Sequence, residues 1–254
     1  MSLWSRRRDR EPGLLPLADV LEALGDDGAM GTTETEIDLA AVTGSVARPD
    51  DYDAAFRPRR AARDSRLREV RERFAAGSAP PPIEVVRLGD LYFVADGHHR
   101  VAAARELGWD SLPARVRHIC TVAFARCCLR LADLETKAAE RRFLEQVPLP
   151  DDVREQLWLD RPAYWARLAD AALAWGYRRS LDGTTYCCAH DLASAWWRTE
   201  VEPVVARTCA ADGGCDLGAV QAYVAALAER DRLGALDWSH DPVLRTAGEC
   251  CGPD

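Results

Sequence analysis

The residues best suited to chemistry are consecutive: Asp96-Gly97-His98-His99-Arg100. They follow the apolar run Leu91-Tyr92-Phe93-Val94-Ala95 and precede Val101 to Leu107, which Gly108 ends. The spacing predicts a strand that turns into a helix at this box. The first turn of a helix carries backbone N–H groups without intrahelical partners, and the helix dipole adds partial positive charge there, so the corner suits an anion. Gly97 lets the backbone approach a ligand closely. His98, His99 and Arg100 add donors around the same spot, and the planar fork of arginine suits phosphate oxygens. Asp96 is an acceptor beside this positive potential, able to take a proton from a hydroxyl nucleophile or to orient a magnesium ion. A carboxylate before a helix can also simply cap it, and two histidines can simply be solvated. The residues alone leave a phosphate site and a capped corner both open.

Several elements must position the box. Ile83–Leu88 is β-branched, Gly89-Asp90 is a two-residue turn, and Leu91–Ala95 returns, which together predict a β-hairpin. Pro80-Pro81-Pro82 precedes it and ends any helix before it. From Asp64 to Ala76 the apolar positions Leu67, Val70 and Phe74 recur at helical spacing, and Gly77 stops that helix. Leu112–Ile119 predicts another strand. Upstream, Leu14–Leu24 predicts a helix stopped by Gly25, Asp26–Glu36 a loop, and Ile37–Val42 a weak strand running into Thr43-Gly44-Ser45; residues 48–60 read as irregular. Beyond residue 120 the pattern turns helical, with candidates at 129–143, 161–175, 192–209 and 217–232. That half shows no motif that names a substrate. Its periodic apolar faces predict a bundle that covers the core or makes a dimer.

Composition narrows the classes. The chain has 254 residues, 48% hydrophobic and 29% charged, the profile of an ordinary globular protein. No apolar run approaches the roughly 18 residues needed to span a bilayer. Met1 to Arg10 lacks the apolar stretch of a secretory signal, so a cytoplasmic protein without membrane contact is expected. The formal net charge of −8 counts against wrapping duplex DNA. Lys137 is the single lysine, which excludes a Walker motif and leaves arginine, histidine and backbone N–H to hold any phosphate. Of the nine cysteines, six form the adjacent pairs Cys127-Cys128, Cys187-Cys188 and Cys250-Cys251, but no C-x-x-C spacing occurs, and no metal-ligand set is expected.

The stretch Ile83 to Ile119 resembles the ParB/sulfiredoxin-like nucleotide-binding superfamily. Phe93 to Ala104 is similar to its signature, in which a box opens a helix and cradles nucleotide phosphates. Gly44-Ser45-Val46-Ala47-Arg48 and Phe56-Arg57-Pro58 look like the entry segment of a bacterial ParB-like subgroup, and Pro81-Pro82-Ile83 like the start of its hairpin. Sulfiredoxins need a cysteine where this chain has His98. ParB clamps carry a Gly-Glu-Arg-Arg box and a helix-turn-helix, neither of which is evident here. The free serine kinases of the superfamily resemble this chain most in the Asp96-Gly97-His98 version of the box. Their second catalytic group is a glutamate upstream, for which Glu69 and Glu72 are candidates beside their plainer reading as solvated helix charges.

The resemblance implies an α+β fold: an arm over 1–36, a ParB/sulfiredoxin-like domain with a small mixed sheet over 37–120, and an α-helical C-terminal domain over 121–254. It implies a nucleotide-binding protein, either an ATP- or ADP-dependent phosphotransferase or nucleotidase, or a nucleotide-gated, non-catalytic binding or regulatory protein for which DNA is a disfavoured partner. The cofactor would be ATP, ADP or CTP with magnesium. Asp96, His98 and His99 would be catalytic. Gly97, His98, His99, Arg100, Ser45, Arg48 and Arg57 would contact the nucleotide, with Arg59, Arg60 and Arg63 in the same basic run. A second copy would dock through the helical half.

Overall fold

In the computed structural model, which describes residues 13–59, 65–211 and 219–234, the chain divides into two units, Met1–Arg141 and Arg142–Asp254. The first unit is built on a six-stranded mixed sheet. In chain order it runs β1 (Leu15–Pro16), α1 (Leu17–Leu24), β2 (Asp26–Asp38), β3 (Val42–Ser45), α2 (Ser65–Ala75), β4 (Ile83–Leu88), β5 (Leu91–Asp96), α3 (His98–Glu106), β6 (Ser111–Thr121) and the part of α4 (Leu134–Gln146) up to Arg141. The spatial order is β1-β3-β5-β4-β6-β2. β4 and β5 form the expected antiparallel hairpin, while β3 lies parallel to β5 and β4 parallel to β6. The apolar faces of these strands meet those of α2 and α3 in one core, with Ile83, Val85, Val94, Val101, Leu67 and Phe74 buried together. Phe74 stacks on Trp109 at 4.8 Å, fixing α2 against the end of α3.

Two expectations about this unit are corrected. Asp26–Glu36 is no loop but most of β2, which pairs antiparallel with β6 from Asp26↔Thr121 to Asp38↔Ser111. As an edge strand with all but Ile37 exposed, it has no buried face and therefore no apolar alternation to read. Cross-strand polar pairs hold it instead, such as Arg115 Nη2 donating to Glu34 at 3.0 Å. The expected strand Ile37–Val42 is interrupted by a 3₁₀ turn over Leu39–Ala41, which Asp38 nucleates by accepting the Ala40 N–H at 2.7 Å.

The second unit is helical: α5 (Asp151–Arg154), α6 (Pro162–Leu181), α7 (Ala189–Trp196), α8 (Glu202–Ala211) and α9 (Ala219–Arg232). Trp165, Leu168, Ala172 and Trp175 give α6 its buried stripe. The single helix expected over 192–209 is instead α7 and α8 joined by a π-helical segment, Trp197–Val201. Pro203 has no N–H to return to the preceding turn, and the ladder widens just before it. That segment points Glu200 inward, where its Oε1 accepts the Tyr223 hydroxyl at 2.9 Å and lies 3.7 Å from Arg230. Burial first, then the Glu200 carboxylate, push the Tyr223 phenol well above its usual range.

Among the described residues, no helix is long and apolar enough to cross a membrane. Cys120, Cys127, Cys128, Cys187 and Cys188 are free thiols. Arg60, Arg63, Cys215 and Cys250-Cys251 lie outside the described residues.

Candidate functional site

Two adjacent parallel strands, β3 and β5, finish at the same end of the sheet, and their C-terminal ends build the site. Ser45, the last residue of β3, is paired with Val94 near the end of β5. β5 then closes on Asp96, the chain turns at Gly97, and α3 starts at His98. Gly97 has φ +104°, and a Cβ there would lie 2.5 Å from Ile83 Cγ2, so both the backbone and the space require glycine.

His98 is the buried member of the box, only 5% exposed. Its Nε2 lies 2.8 Å from Ser45 Oγ, which also accepts the Arg48 N–H at 2.9 Å. Ser45 Oγ thus joins the His98 ring to the backbone of the segment that follows β3. The imidazole stacks on Tyr52 at 5.5 Å and lies 6.4 Å from the Phe56 ring. Phe56 itself has φ +62°, a strained conformation for a bulky residue, at the tip of a segment that the Asp53 carboxylate ties to Ala55 and Arg57. Burial first, and then the Arg48 charge, lower His98 to about 4. At neutral pH it enters the site as a neutral hydrogen-bonding group and not as a cation.

That shift has a signed consequence. The unfolded imidazole takes up a proton near pH 6.5 and the folded one near 4, so the unfolded state binds more protons between them. Stability is present above pH 6.5 and is lost as pH falls towards 4, by about 3 kcal/mol from this residue. Urea midpoints measured at pH 7, 5 and 4 should show the loss, and His98→Gln should flatten that part of the profile. An equal slope in the variant would assign it elsewhere.

Arg100 faces the other side of the turn. Its Nη1 donates to the carbonyls of Pro81 at 2.9 Å and Pro82 at 2.7 Å, and its Nη2 to the Asp96 carboxylate at 2.5 Å. It thereby ties the proline segment to the box. His99 Nδ1 lies 3.3 Å from the Tyr52 hydroxyl.

These groups line a cavity of about 830 Å³ with a second wall from α2. Arg66, Glu69, Val70 and Arg73 stand at i, i+3, i+4 and i+7 on that helix, and all four line the cavity together with Arg48, Asp96, Gly97, His98, His99 and Arg100. Arg66 and Arg73 were not singled out by the sequence reading; their spacing from Val70 on the amphipathic helix is the signal that could have found them. Glu69 faces the cavity, and Glu72 is not among its lining residues. Ser45 is fully buried beneath His98 and reaches the site through it. Arg57 is not brought there: its Nε pairs with Asp53 at 2.8 Å and it is not among the lining residues. Among the described residues no group of three or more His, Cys, Asp or Glu is arranged to hold a metal ion.

The hairpin, its parallel partner strand and the helix opened by the glycine-centred box all lie within one segment of the chain. Residues 41–130 match the family model of the ParB N-terminal domain, and the chain carries that domain over this segment. Solved structures similar to the chain include sulfiredoxin from Arabidopsis thaliana, at 18% identity over 35% of this chain and 88% of that one, with a TM-score of 0.26. A Pnob8-like ParB-N domain matches at 12% identity over 80% of this chain and 82% of that one, with a TM-score of 0.25. No curated protein matches the chain.

Proposed function

We propose that the first unit binds a nucleotide through its phosphates at the start of α3 and turns it over by phosphoryl transfer or hydrolysis. The observation that carries this reading is the wall composition: Arg48, Arg66, Arg73 and Arg100 beside a helix N-terminus, with Asp96 and Glu69 as the facing carboxylates. The arginines neutralise phosphate charge, and the neutral His98 ring and the adjacent His99 ring add hydrogen-bonding nitrogens. Asp96, held by Arg100, accepts the proton of an attacking hydroxyl or water. Asp96 and Glu69 are hard oxygen donors that fit a magnesium ion carried in on the phosphates, where it would neutralise part of their charge. Positioning and electrostatics supply most of the rate in such chemistry.

A second reading is nucleotide-gated binding without turnover. The contact that favours it is Arg100, which bridges Asp96 to the Pro81 and Pro82 carbonyls. A phosphate competing for this guanidinium would loosen the proline segment.

Thermal-shift titration with ATP, ADP, CTP and GTP, with and without magnesium, tests the shared premise. Arg48→Ala and Arg73→Ala are better probes than Arg100→Ala, because Arg100 also holds the fold. One nucleotide should stabilise the wild type, and each variant should weaken that nucleotide by about tenfold, the worth of one charged hydrogen bond. The absence of a shift with any nucleotide at millimolar concentration would overturn the reading. Phosphate release with the binding nucleotide then separates turnover from gating.

A further inference from the structure

A second cavity of about 1010 Å³ lies in the first unit and shares no lining residue with the first. The segment after β3 separates them: Arg48 lines one, Pro49 and Asp50 the other. Its apolar walls come from Leu15 on β1, Val42 on β3 and Leu129 before α4. Arg59, Arg105 and Arg130 also line it, against the single carboxylate of Asp50.

Arg105 is the informative residue. It sits in the last turn of α3, and its Nη2 donates to the carbonyls of Leu39 at 2.6 Å and Val42 at 2.7 Å, with the Phe56 ring 4.9 Å from the guanidinium carbon. Among the described residues, no carboxylate lies within ion-pair distance of Arg105 or Arg130. Burial works against the Arg105 charge, and the nearest offsetting charges are those of Asp38 and Asp53. A half-buried cation without a contacting counter-ion is costly to keep. On the same wall, the hydroxyl of Thr43 is buried and has no hydrogen-bond partner among the described residues. Cationic and hydroxyl donors at one place, beside aliphatic walls, form the two halves of a recognisable ligand shape.

We propose that this cavity binds an amphipathic organic anion, with its charged head at Arg105, Arg130 and Thr43 and its hydrocarbon body against Leu15, Val42 and Leu129. A carboxylate and a phosphate monoester share this chemistry, since guanidinium accepts either. The two cavities share no lining residue, so the site is separate from the nucleotide reading and stands without it.

The test is calorimetric titration of the full chain with octanoate, octyl phosphate, 1-octanol and acetate. Octanoate or octyl phosphate should bind, and whichever is tighter names the head. Octanol lacks the head and acetate the body, so each should bind at least about tenfold more weakly. Arg130→Glu, an exposed change that spares the fold, should weaken the tighter ligand by about tenfold or more. Arg105→Gln should do the same if it folds, and Arg130→Glu decides the matter if it does not. No binding of either anion, octanol binding as tightly as octanoate, or an unchanged dissociation constant in Arg130→Glu would overturn the proposal.

Discussion

Asp96→Asn is expected to lower turnover of the cognate nucleotide by about 10²–10⁴-fold, the usual contribution of a general base, while leaving nucleotide-induced stabilisation within a few-fold of wild type. The substitution is clean because of what Asp96 touches. The asparagine carbonyl can still accept from Arg100 Nη2, so Arg100 keeps its grip on Pro81 and Pro82 and the box keeps its shape. Gly97 and the start of α3 are untouched. What is lost is the ability to take a proton, together with one negative charge opposite the arginines. Glu69→Gln makes the companion measurement, because Glu69 faces the same cavity from α2. If Asp96 is the base and Glu69 steadies a phosphate-borne cation, the first variant should lose turnover at all magnesium concentrations. The second should recover part of it as magnesium is raised. Equal turnover in wild type and Asp96→Asn would remove Asp96 from the chemistry. An inactive wild type that still binds nucleotide would select the gated reading.

The part of this site that was legible in the sequence is the part made by neighbours in the chain. The β4–β5 hairpin, its turn, Gly97 and the first turn of α3 are local features, each with its own residue signature. The parts that were not legible are made by distant pieces of chain. Ser45 was placed near the cleft, but its role under His98 follows from the parallel register of β3 on β5, across 53 residues. Nothing local to position 98 distinguishes a solvated histidine from one buried against Tyr52 and Phe56 and held neutral. Arg66 and Arg73 look like ordinary solvent-facing charges on an amphipathic helix until α2 is laid beside the box. Arg57 shows the converse. It sits in the expected basic run, yet the tight segment around Asp53 claims it four residues away. The edge strand β2 was missed for another reason: pairing on one side with both faces exposed demands no apolar period, so its sequence carries none.

Lys137→Ala is expected to be the most destabilising single change in the first unit away from the site, at about 3–5 kcal/mol near pH 8. Lys137 and Glu140 pair at 2.8 Å on α4, with side chains only 2% and 1% exposed. Replacing the lysine leaves a buried carboxylate without its contacting cation, with the Phe124 backbone N–H and the Arg126 charge as the remaining favourable influences. Burial pushes the Glu140 carboxyl up even in the wild type, against the opposing pull of Lys137 and Arg126. Without Lys137 that upward push grows, and the native state binds a proton that the unfolded state does not. A group raised in this way favours the fold below its unfolded value and loses that contribution as pH rises through its folded value. The destabilisation of Lys137→Ala should therefore shrink between pH 8 and pH 5, a trend readable from urea midpoints. Lys137→Met combined with Glu140→Leu removes both charges and keeps the volume, and should recover most of the loss. A double variant as unstable as Lys137→Ala would show that the lysine stem, and not the buried charge, holds α4 in place.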